Sequence, residues 1–223
     1  MHSSDPIHAV VFDLDGLMFN TEEIYLLVGT EVLRRRNKPF PPELVDAMMG
    51  LRPAQAIGRM IEWHDLSDSV EQIEEESRAI FRPLLDAHLK PMPGLFYLLE
   101  ALEEAAVPKA VATSSGRAFV DEILGRFDLL PRFSFILSAE DVDCGKPDPE
   151  IYLLAAERFG ISPAEMLVLE DSQTGLNAAV ASGARAIAVP GNHSAHHDLS
   201  GGAWIASGLD DPKIYDLLSL PKP

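Results

Sequence analysis

Two aspartates near the start of the chain have a spacing that suggests chemistry. Asp13 and Asp15 follow the apolar, β-branched run 9–12, which is typical of a buried parallel strand, and Gly16 comes directly after them. Because strand side chains alternate between faces, the two carboxylates should leave the strand on the same side. Two like charges held this close are costly unless a cation or a proton relieves them. The pair therefore predicts a divalent-metal site or an acid and a base with separate roles; the simpler interpretation is an Asp-Gly turn.

Two later stretches contain residue types that bind phosphate. Thr113, Ser114 and Ser115 stand just before a helical pattern, so the threonine hydroxyl and the two serine amides could hold phosphate oxygens. Lys146 follows a glycine and could supply a compact positive charge to a phosphate and to an aspartate. Taken alone, each feature has an ordinary interpretation as a helix N-cap or a surface lysine. Taken together, they predict a phosphate site.

Carboxylates complete a set that suits phosphoryl transfer. Asp13 is a candidate nucleophile, since carboxylates form aspartyl-phosphate intermediates. Asp15 is a candidate general acid and base, which would protonate the leaving oxygen and then deprotonate water. Glu170 and Asp171 offer hard oxygen ligands of the kind that Mg²⁺ takes, although the helix dipole also favours an acidic pair at a helix start. All four polar stretches fall near the ends of predicted strands, which favours one shared site.

The elements that must position these residues alternate between strand and helix outside one central block. After the strand at 9–12 we predict strands over 108–113, 133–137, 166–169 and 184–189, an edge strand over 203–206, and a closing helix over 212–218. Strands that alternate with helices form a parallel sheet covered on both faces. Ligands bind beyond the carboxyl ends of such strands. The predicted fold is α/β, with a Rossmann-like parallel sheet as its core.

The block between residues 18 and 90 has helical periodicity and no convincing strand. Helices are predicted over 21–36, 43–49, 53–63 and 69–88, with Thr21 as the N-cap of the first. This change in pattern predicts two domains. Residues 1–17 plus 91–223 would form the α/β core, and residues 18–90 would form a small inserted helical domain.

Composition narrows the range of partners. With 47% hydrophobic and 24% charged residues, the chain has the make-up of an ordinary globular protein. A net charge of −17 disfavours binding to nucleic acid and to anionic membranes, whereas a bound metal could still attract a small phosphorylated metabolite. The single cysteine, Cys144, excludes an internal disulfide. With no signal-peptide pattern and no apolar run long enough to cross a membrane, we expect a cytoplasmic monomer.

Four motifs resemble those of the haloacid dehalogenase (HAD) superfamily. They are Asp-Leu-Asp-Gly at 13–16, Ala-Thr-Ser-Ser-Gly at 112–116, Gly-Lys-Pro-Asp-Pro-Glu-Ile-Tyr at 145–152 and Leu-Glu-Asp-Ser-Gln-Thr-Gly at 169–175. Their order and spacing match motifs I to IV of that superfamily, and the helical insert is similar to its small C1 cap domain. Within the superfamily the chain most resembles the group that contains β-phosphoglucomutase and pseudouridine-5′-phosphatase.

This resemblance implies a Mg²⁺-dependent phosphatase that hydrolyses a small organic phosphate monoester, such as a sugar or nucleoside phosphate. By the same resemblance, Asp13 would be the nucleophile, Asp15 would be the acid and base, and Thr113 and Lys146 would bind phosphate.

The resemblance also implies metal ligands and cap contacts. Asp13, the main-chain carbonyl of Asp15, and Asp171 would hold the metal, with Glu170 in direct or water-mediated support. Asn20 stands where many relatives have Asp, so it adds no charge there. The candidate substrate contacts in the cap are Glu23, Tyr25, Met49, Gly50, Arg52 and Gln55.

A phosphosugar mutase of the β-phosphoglucomutase kind is the alternative, because it needs the same core. Its relatives carry a His where Tyr25 stands here, and a cap arginine for which Arg52 is only an offset match. These differences favour the hydrolase. Halide expulsion does not need an acid such as Asp15, and Schiff-base chemistry would need a cap lysine, for which the block offers only Lys38 and Lys90 near its turns.

Overall fold

The structure of the protein is a computed structural model that describes residues 6–48, 51, 53–191, 194 and 198–222. Its chain forms two compact units. One unit comprises Met1–Phe19 and Pro91–Pro223, and the other comprises Asn20–Lys90.

The predicted boundaries differ from these units in the assignment of residues 18 and 19. Met18 and Phe19 are fully buried, and the Met18 carbonyl accepts a hydrogen bond from the Met92 amide at 2.8 Å. The Phe19 ring also packs against Phe127, with 5.0 Å between ring centroids. Both residues therefore belong to the first unit rather than to the helical one.

Five parallel strands form the sheet of the first unit. They are β1 (Ala9–Phe12), β2 (Lys109–Ala112), β3 (Ile136–Leu137), β4 (Met166–Glu170) and β5 (Arg185–Ala188), in the spatial order β3-β2-β1-β4-β5. In the register, Val11 of the central strand lies beside Ala110 on one side and Val168 on the other. The predicted α/β fold with a parallel sheet core is confirmed.

The helices in the described part of the chain are α1 (Thr21–Arg35), α2 (Pro42–Met48), α3 (Pro53–His64), α4 (Val70–His88), α5 (Leu95–Glu104), α6 (Arg117–Gly125), α7 (Glu150–Phe159), α8 (Gln173–Ala181) and α9 (Pro212–Leu218). None of these helices combines the length and apolar character that spanning a bilayer requires.

The strand order places the candidate residues at a point where the chain changes direction across the sheet. From β1 the chain reaches β2 and then β3 on one side, and later returns to β4 and β5 on the other side. The carboxyl ends of β1 and β4 therefore flank a crevice, which is where ligands bind in sheets of this topology. Small buried residues such as Ala112 and Ala178 let the covering helices pack closely on the strands.

The helical unit has a core of its own. Val32, Leu33, Leu44 and Ile73 are fully buried at its centre. The start of α4 is set by Ser69, whose side chain accepts from the Gln72 amide while the Gln72 side chain accepts from the Ser69 amide.

The predicted cap of α1 is wrong by one position. Thr21 is the first helical residue and is buried, and Asn20 occupies the N-cap position without capping the helix by its side chain. The Asn20 side chain instead accepts from the Lys90 amide at 2.7 Å and donates to the His88 carbonyl at 3.1 Å. A neighbouring chain segment therefore outcompetes the local capping bond.

The predicted edge strand over 203–206 does not form a regular strand. The Ala203 amide bonds to the Ala186 carbonyl and the Ala206 amide to the Ala188 carbonyl, but the pairing amounts to one isolated bridge between Ala188 and Ile205.

Candidate active site

The end of β1 sets the position of the first carboxylate. The Asp13 amide donates to the Leu169 carbonyl at 3.1 Å, so pairing with β4 continues one residue past the strand. Gly16 then adopts a left-handed conformation with φ 78°, which glycine reaches without strain, and its amide donates to the Phe19 carbonyl. This tight turn ends the strand directly after the two carboxylates.

Lys146 reaches the site from the loop between β3 and α7. The Glu150 carboxylate fixes that loop by accepting from the amides of Asp143 and Cys144 at 3.0 and 2.7 Å. The Lys146 ammonium donates three hydrogen bonds: to Asp13 Oδ1 at 2.6 Å, to Glu170 Oε1 at 2.6 Å and to the Ala112 carbonyl at 2.9 Å. All three ammonium protons thus have acceptors.

The electrostatics of this cluster follow from burial. Burial raises the pKa of Asp13 to about 8; Lys146 opposes the rise, while Glu170 and Asp15 add to it. Burial by itself would lower the pKa of Lys146, but the Asp13 and Glu170 carboxylates hold it well above its usual range. The site thus keeps a charged lysine and carries more carboxylates than that lysine can neutralise.

Asp15 has two carboxylate oxygens in different surroundings. Its Oδ2 accepts from the Ser115 hydroxyl at 2.6 Å and from the Thr113 hydroxyl at 3.4 Å. Its Oδ1 is buried and has no hydrogen-bond partner among the described residues. A buried polar atom without a partner is unfavourable, and a proton on this oxygen would remove the unsatisfied acceptor.

Glu170 is fully buried and surrounded by donors. Besides Lys146, the Tyr152 hydroxyl donates to its Oε1 at 2.5 Å and the Ser172 hydroxyl to its Oε2 at 3.2 Å. Gly175 leaves space for this carboxylate, since a Cβ there would lie 1.9 Å from Oε1. A glycine at this point of α8 is therefore a steric requirement.

Three of the buried carboxylates could hold a metal ion. Asp13, Glu170 and Asp171 each offer a ligand oxygen, and these oxygens lie within 4.8 Å of one another. The Asp171 Oδ2 also accepts from the Ser194 hydroxyl at 3.4 Å. These three carboxylates form a buried, oxygen-rich donor set, which fits a hard divalent cation such as Mg²⁺.

Most of the core residues named from the sequence meet at this edge of the sheet. They are Asp13, Asp15, Thr113, Ser115, Lys146, Glu170 and Asp171. Ser115 does not offer a free amide, because that amide donates to Thr113 Oγ1 at 3.0 Å. Ser114 lies beside them with an exposed side chain.

The cap candidates lie on the helical unit. Glu23 is exposed on α1 and accepts from the Asn20 side chain at 2.9 Å. Tyr25 is 46% exposed, and its ring stacks on Phe81 with 5.0 Å between centroids. Gln55 is exposed on α3. The remaining candidates, Met49, Gly50 and Arg52, lie outside the described residues.

Sequence reasoning missed three side chains that support the site. Glu150 and Tyr152 stand within the third motif. Their closeness to Lys146 in the sequence could have identified them as residues that support the site. Ser194 had no such signal, because it lies in a loop 23 residues from Asp171.

Comparison with known proteins identifies the class to which this fold and site belong. A family model described as haloacid dehalogenase-like hydrolase matches residues 10–189. The chain belongs to this family, as the resemblance in its motifs predicted.

Individual relatives narrow the comparison. The chain is 34% identical to a phosphorylated carbohydrates phosphatase of Thermotoga maritima over 79% of its own length and 82% of that protein's. It is 33% identical to a probable pseudouridine-5′-phosphatase of Drosophila melanogaster, over 91% of its own length and 90% of that protein's. These names support the prediction of a phosphoric monoester hydrolase of this family.

A solved structure extends the similarity to a second activity. A Thermotoga maritima protein provisionally described as a β-phosphoglucomutase is 28% identical, with a TM-score of 0.76 over 96% of this chain and 97% of that one. The predicted membership of the β-phosphoglucomutase and pseudouridine-5′-phosphatase group is confirmed.

Proposed function

We propose that this chain is a Mg²⁺-dependent phosphatase that hydrolyses small phosphate monoesters through an aspartyl-phosphate on Asp13. The observation that carries the proposal is the pair of aspartates after β1, held in two different ways. Asp13 is paired with an ammonium, and Asp15 is held by hydroxyls with one buried oxygen unfilled. A nucleophile and an acid–base group need this difference.

In the first step, Asp13 attacks the phosphorus of the ester. Because Lys146 donates to Oδ1, Oδ2 is the oxygen that attacks. The positive charge of Lys146 also offsets the negative charges of the carboxylate and of the incoming phosphate. As the bond to the ester oxygen breaks, a protonated Asp15 gives its proton to that oxygen, and the alcohol leaves. The Thr113 hydroxyl and the main-chain amide of Ser114 hold the transferred phosphoryl oxygens.

In the second step, Asp15 acts as the base. It takes a proton from water, and the resulting hydroxide attacks the phosphorus of the aspartyl-phosphate. The bond between Asp13 and phosphorus breaks, inorganic phosphate leaves, and Asp15 again holds the proton that the next cycle needs. The Ser115 hydroxyl orients the Asp15 carboxyl in both steps through its 2.6 Å hydrogen bond.

We infer that Asp13 and Asp171 would hold Mg²⁺, with the main-chain carbonyl of Asp15 and with Glu170 in direct or water-mediated support. Bound Mg²⁺ would supply charge neutralisation and polarisation of the phosphoryl oxygens. The cluster of three buried carboxylates supports this assignment.

We propose that the helical unit, Asn20–Lys90, acts as a cap that selects the substrate. This unit is inserted between Phe19 and Pro91, soon after the turn at Gly16 that follows Asp13 and Asp15, and that position supports this role. The relatives' names support small phosphorylated metabolites, such as sugar or nucleoside phosphates, as substrates.

The test is a phosphate-release screen over sugar phosphates, nucleotides and p-nitrophenyl phosphate, with Mg²⁺ or with EDTA. Release that requires Mg²⁺ and disappears in Asp13→Asn supports the proposal. Equal release by wild type and Asp13→Asn would contradict it.

A β-phosphoglucomutase activity is the second candidate, favoured by the structural similarity at 28% identity. The same assay decides between the two through its products on β-glucose 1-phosphate. Free phosphate identifies the hydrolase, and glucose 6-phosphate with little free phosphate identifies the mutase.

A further inference from the structure

Tyr152 is a buried tyrosine with two separate contacts to the candidate active site. It lies in the first turn of α7, its side chain is fully buried, and its ring belongs to the core beneath the sheet. Its hydroxyl donates to Glu170 Oε1 at 2.5 Å. The Lys146 ammonium lies 5.0 Å from the centroid of its ring.

These contacts place the Tyr152 hydroxyl at one of the two carboxylate oxygens to which Lys146 donates. Glu170 Oε1 accepts from Lys146 and from the Tyr152 hydroxyl, while Oε2 accepts from Ser172. A carboxylate held by three donors has a fixed orientation. Lys146 is then held between this oxygen, the face of the tyrosine ring and Asp13 Oδ1.

Packing explains the ring of Tyr152 but not its hydroxyl, so the hydroxyl indicates a role beyond packing. Packing in the core needs only the ring, which phenylalanine would supply equally well. A buried hydroxyl is unfavourable unless it is bonded, and burial raises the pKa of Tyr152 well above its usual range, so the group stays a donor.

We propose that Tyr152 is a positioning residue for the reaction, whose hydroxyl orients Glu170 so that Lys146 stays on Asp13. The inference rests on the proposed phosphatase function. Tyr152 touches neither the substrate nor the reacting atoms in that mechanism, and it acts through Glu170 and Lys146. The site thus contains a chain of contacts from α7 to the nucleophile.

Tyr152→Phe removes the hydroxyl and keeps the ring. Because hydrogen bonds to charged groups are among the stronger ones, we expect kcat for p-nitrophenyl phosphate to fall about tenfold. KM should change by less than about threefold, since the phosphate ligands themselves remain. A purely structural tyrosine would lower the melting temperature and leave kcat at 25 °C unchanged, and that result would overturn the proposal.

Tyr215→Phe is the matched control. Tyr215 is also fully buried, but its hydroxyl has no hydrogen-bond partner among the described residues. Its removal should leave kcat and KM at wild-type values and should not lower the melting temperature. An equal fall in kcat in both variants would overturn the proposal, since it would show that any buried hydroxyl matters.

A measurement without turnover separates this inference from the proposed function. The urea midpoints of wild type, Tyr152→Phe, Glu170→Gln and the double variant give a double-mutant cycle. Coupled effects support the Tyr152–Glu170 bond, and additive effects overturn it. If wild type releases no phosphate from any ester, the proposed function fails, while the cycle still decides whether Tyr152 holds Glu170.

Discussion

Lys146 Nζ lies 2.6 Å from Asp13 Oδ1, although 133 residues separate the two along the chain. Both side chains are almost fully buried, with 4% and 10% of their surfaces exposed. An ion pair in such surroundings is strong only if its remaining hydrogen-bonding groups are also satisfied. Glu170 and the Ala112 carbonyl meet that requirement for the ammonium. In the proposed mechanism, the second oxygen of Asp13 is the one that attacks phosphorus.

Asp13→Asn should abolish turnover without loss of stability. The amide cannot form the aspartyl-phosphate, so we expect kcat to fall by at least about 10³-fold. Burial and neighbouring carboxylates raise the pKa of Asp13, so removing its charge should leave the melting temperature equal or higher. Asp128→Asn is the control, since Asp128 is exposed at φ 54°, which asparagine tolerates. Unimpaired turnover by Asp13→Asn would exclude this nucleophile.

Asp15→Asn should separate the two halves of the reaction. p-Nitrophenolate leaves without protonation, so the variant should release a burst of about one equivalent and then turn over slowly, because water is no longer activated. An alkyl phosphate such as glycerol phosphate should show no burst and a loss of about 10²-fold or more. Stopped-flow absorbance and phosphate release measure the two cases. A similar loss on both esters with no burst would refute the acid–base assignment.

Metal removal should affect stability as well as turnover. We expect EDTA to abolish phosphate release and Mg²⁺ to restore it. Because a ligand that binds the native state stabilises it, Mg²⁺ should raise the melting temperature of the wild type. The rise should be smaller in Asp171→Asn, which lacks one of the three clustered carboxylates. In Asp128→Asn the rise should be as large as in the wild type. An equal rise in all three proteins would mean that the ion binds elsewhere.

Gly175→Ala should damage the site through Glu170. A Cβ at Gly175 would lie 1.9 Å from Glu170 Oε1, and the buried carboxylate cannot move away without breaking its bonds to Lys146 and Tyr152. We expect a destabilisation of more than about 2 kcal/mol and a large fall in kcat. Gly58→Ala is the control, because a Cβ there meets nothing within 4 Å and alanine in a helix interior should stabilise by about 0.5–1 kcal/mol. Urea unfolding compares the two, and equal stabilities would contradict the steric argument.

The ion pairs of Glu103 should make part of the protein's free energy of unfolding depend on pH. Its hydrogen bond to Arg132, helped by Lys109, lowers the pKa of Glu103 to about 2 from an ordinary 4.5. A carboxyl whose folded pKa is lowered stabilises the protein above its unfolded pKa, and that contribution is lost as the pH falls from 4.5 towards 2. Solvent screening keeps the effect modest, because Glu103 is 39% exposed.

The measurement is the urea midpoint of wild type and Glu103→Gln at pH 6 and pH 3. The gap between the two proteins should be larger at pH 6. Glu104→Gln is the control, since Glu104 is exposed and has no ion-pair partner within the described ranges. A gap that does not shrink at low pH would remove this ion pair from the pH dependence.

The sequence by itself determined the sheet and the main chemical groups. Alternation of apolar runs with helical patterns predicted the parallel sheet, and the spacing of Asp13 and Asp15 predicted their common side, because side-chain alternation is a local property of a strand. The position of Thr113 directly after a strand was also predicted, whereas Lys146 lies in the loop between β3 and α7, well beyond the end of its strand. Motif resemblance added the family, which the comparisons confirm.

Only the tertiary structure decided which groups pair. Ser115 meets Asp15 across 100 residues, and Asn20 turns from its own helix to the amide of Lys90 across 70. The hydroxyl of Tyr152 reaches Glu170 only because Tyr152 of α7 packs in the same core cluster as Val168 of β4. Local sequence patterns carry no information on such partners. A hydrogen bond needs a donor and an acceptor within about 3 Å, and for residues far apart in sequence only the folded chain brings them that close.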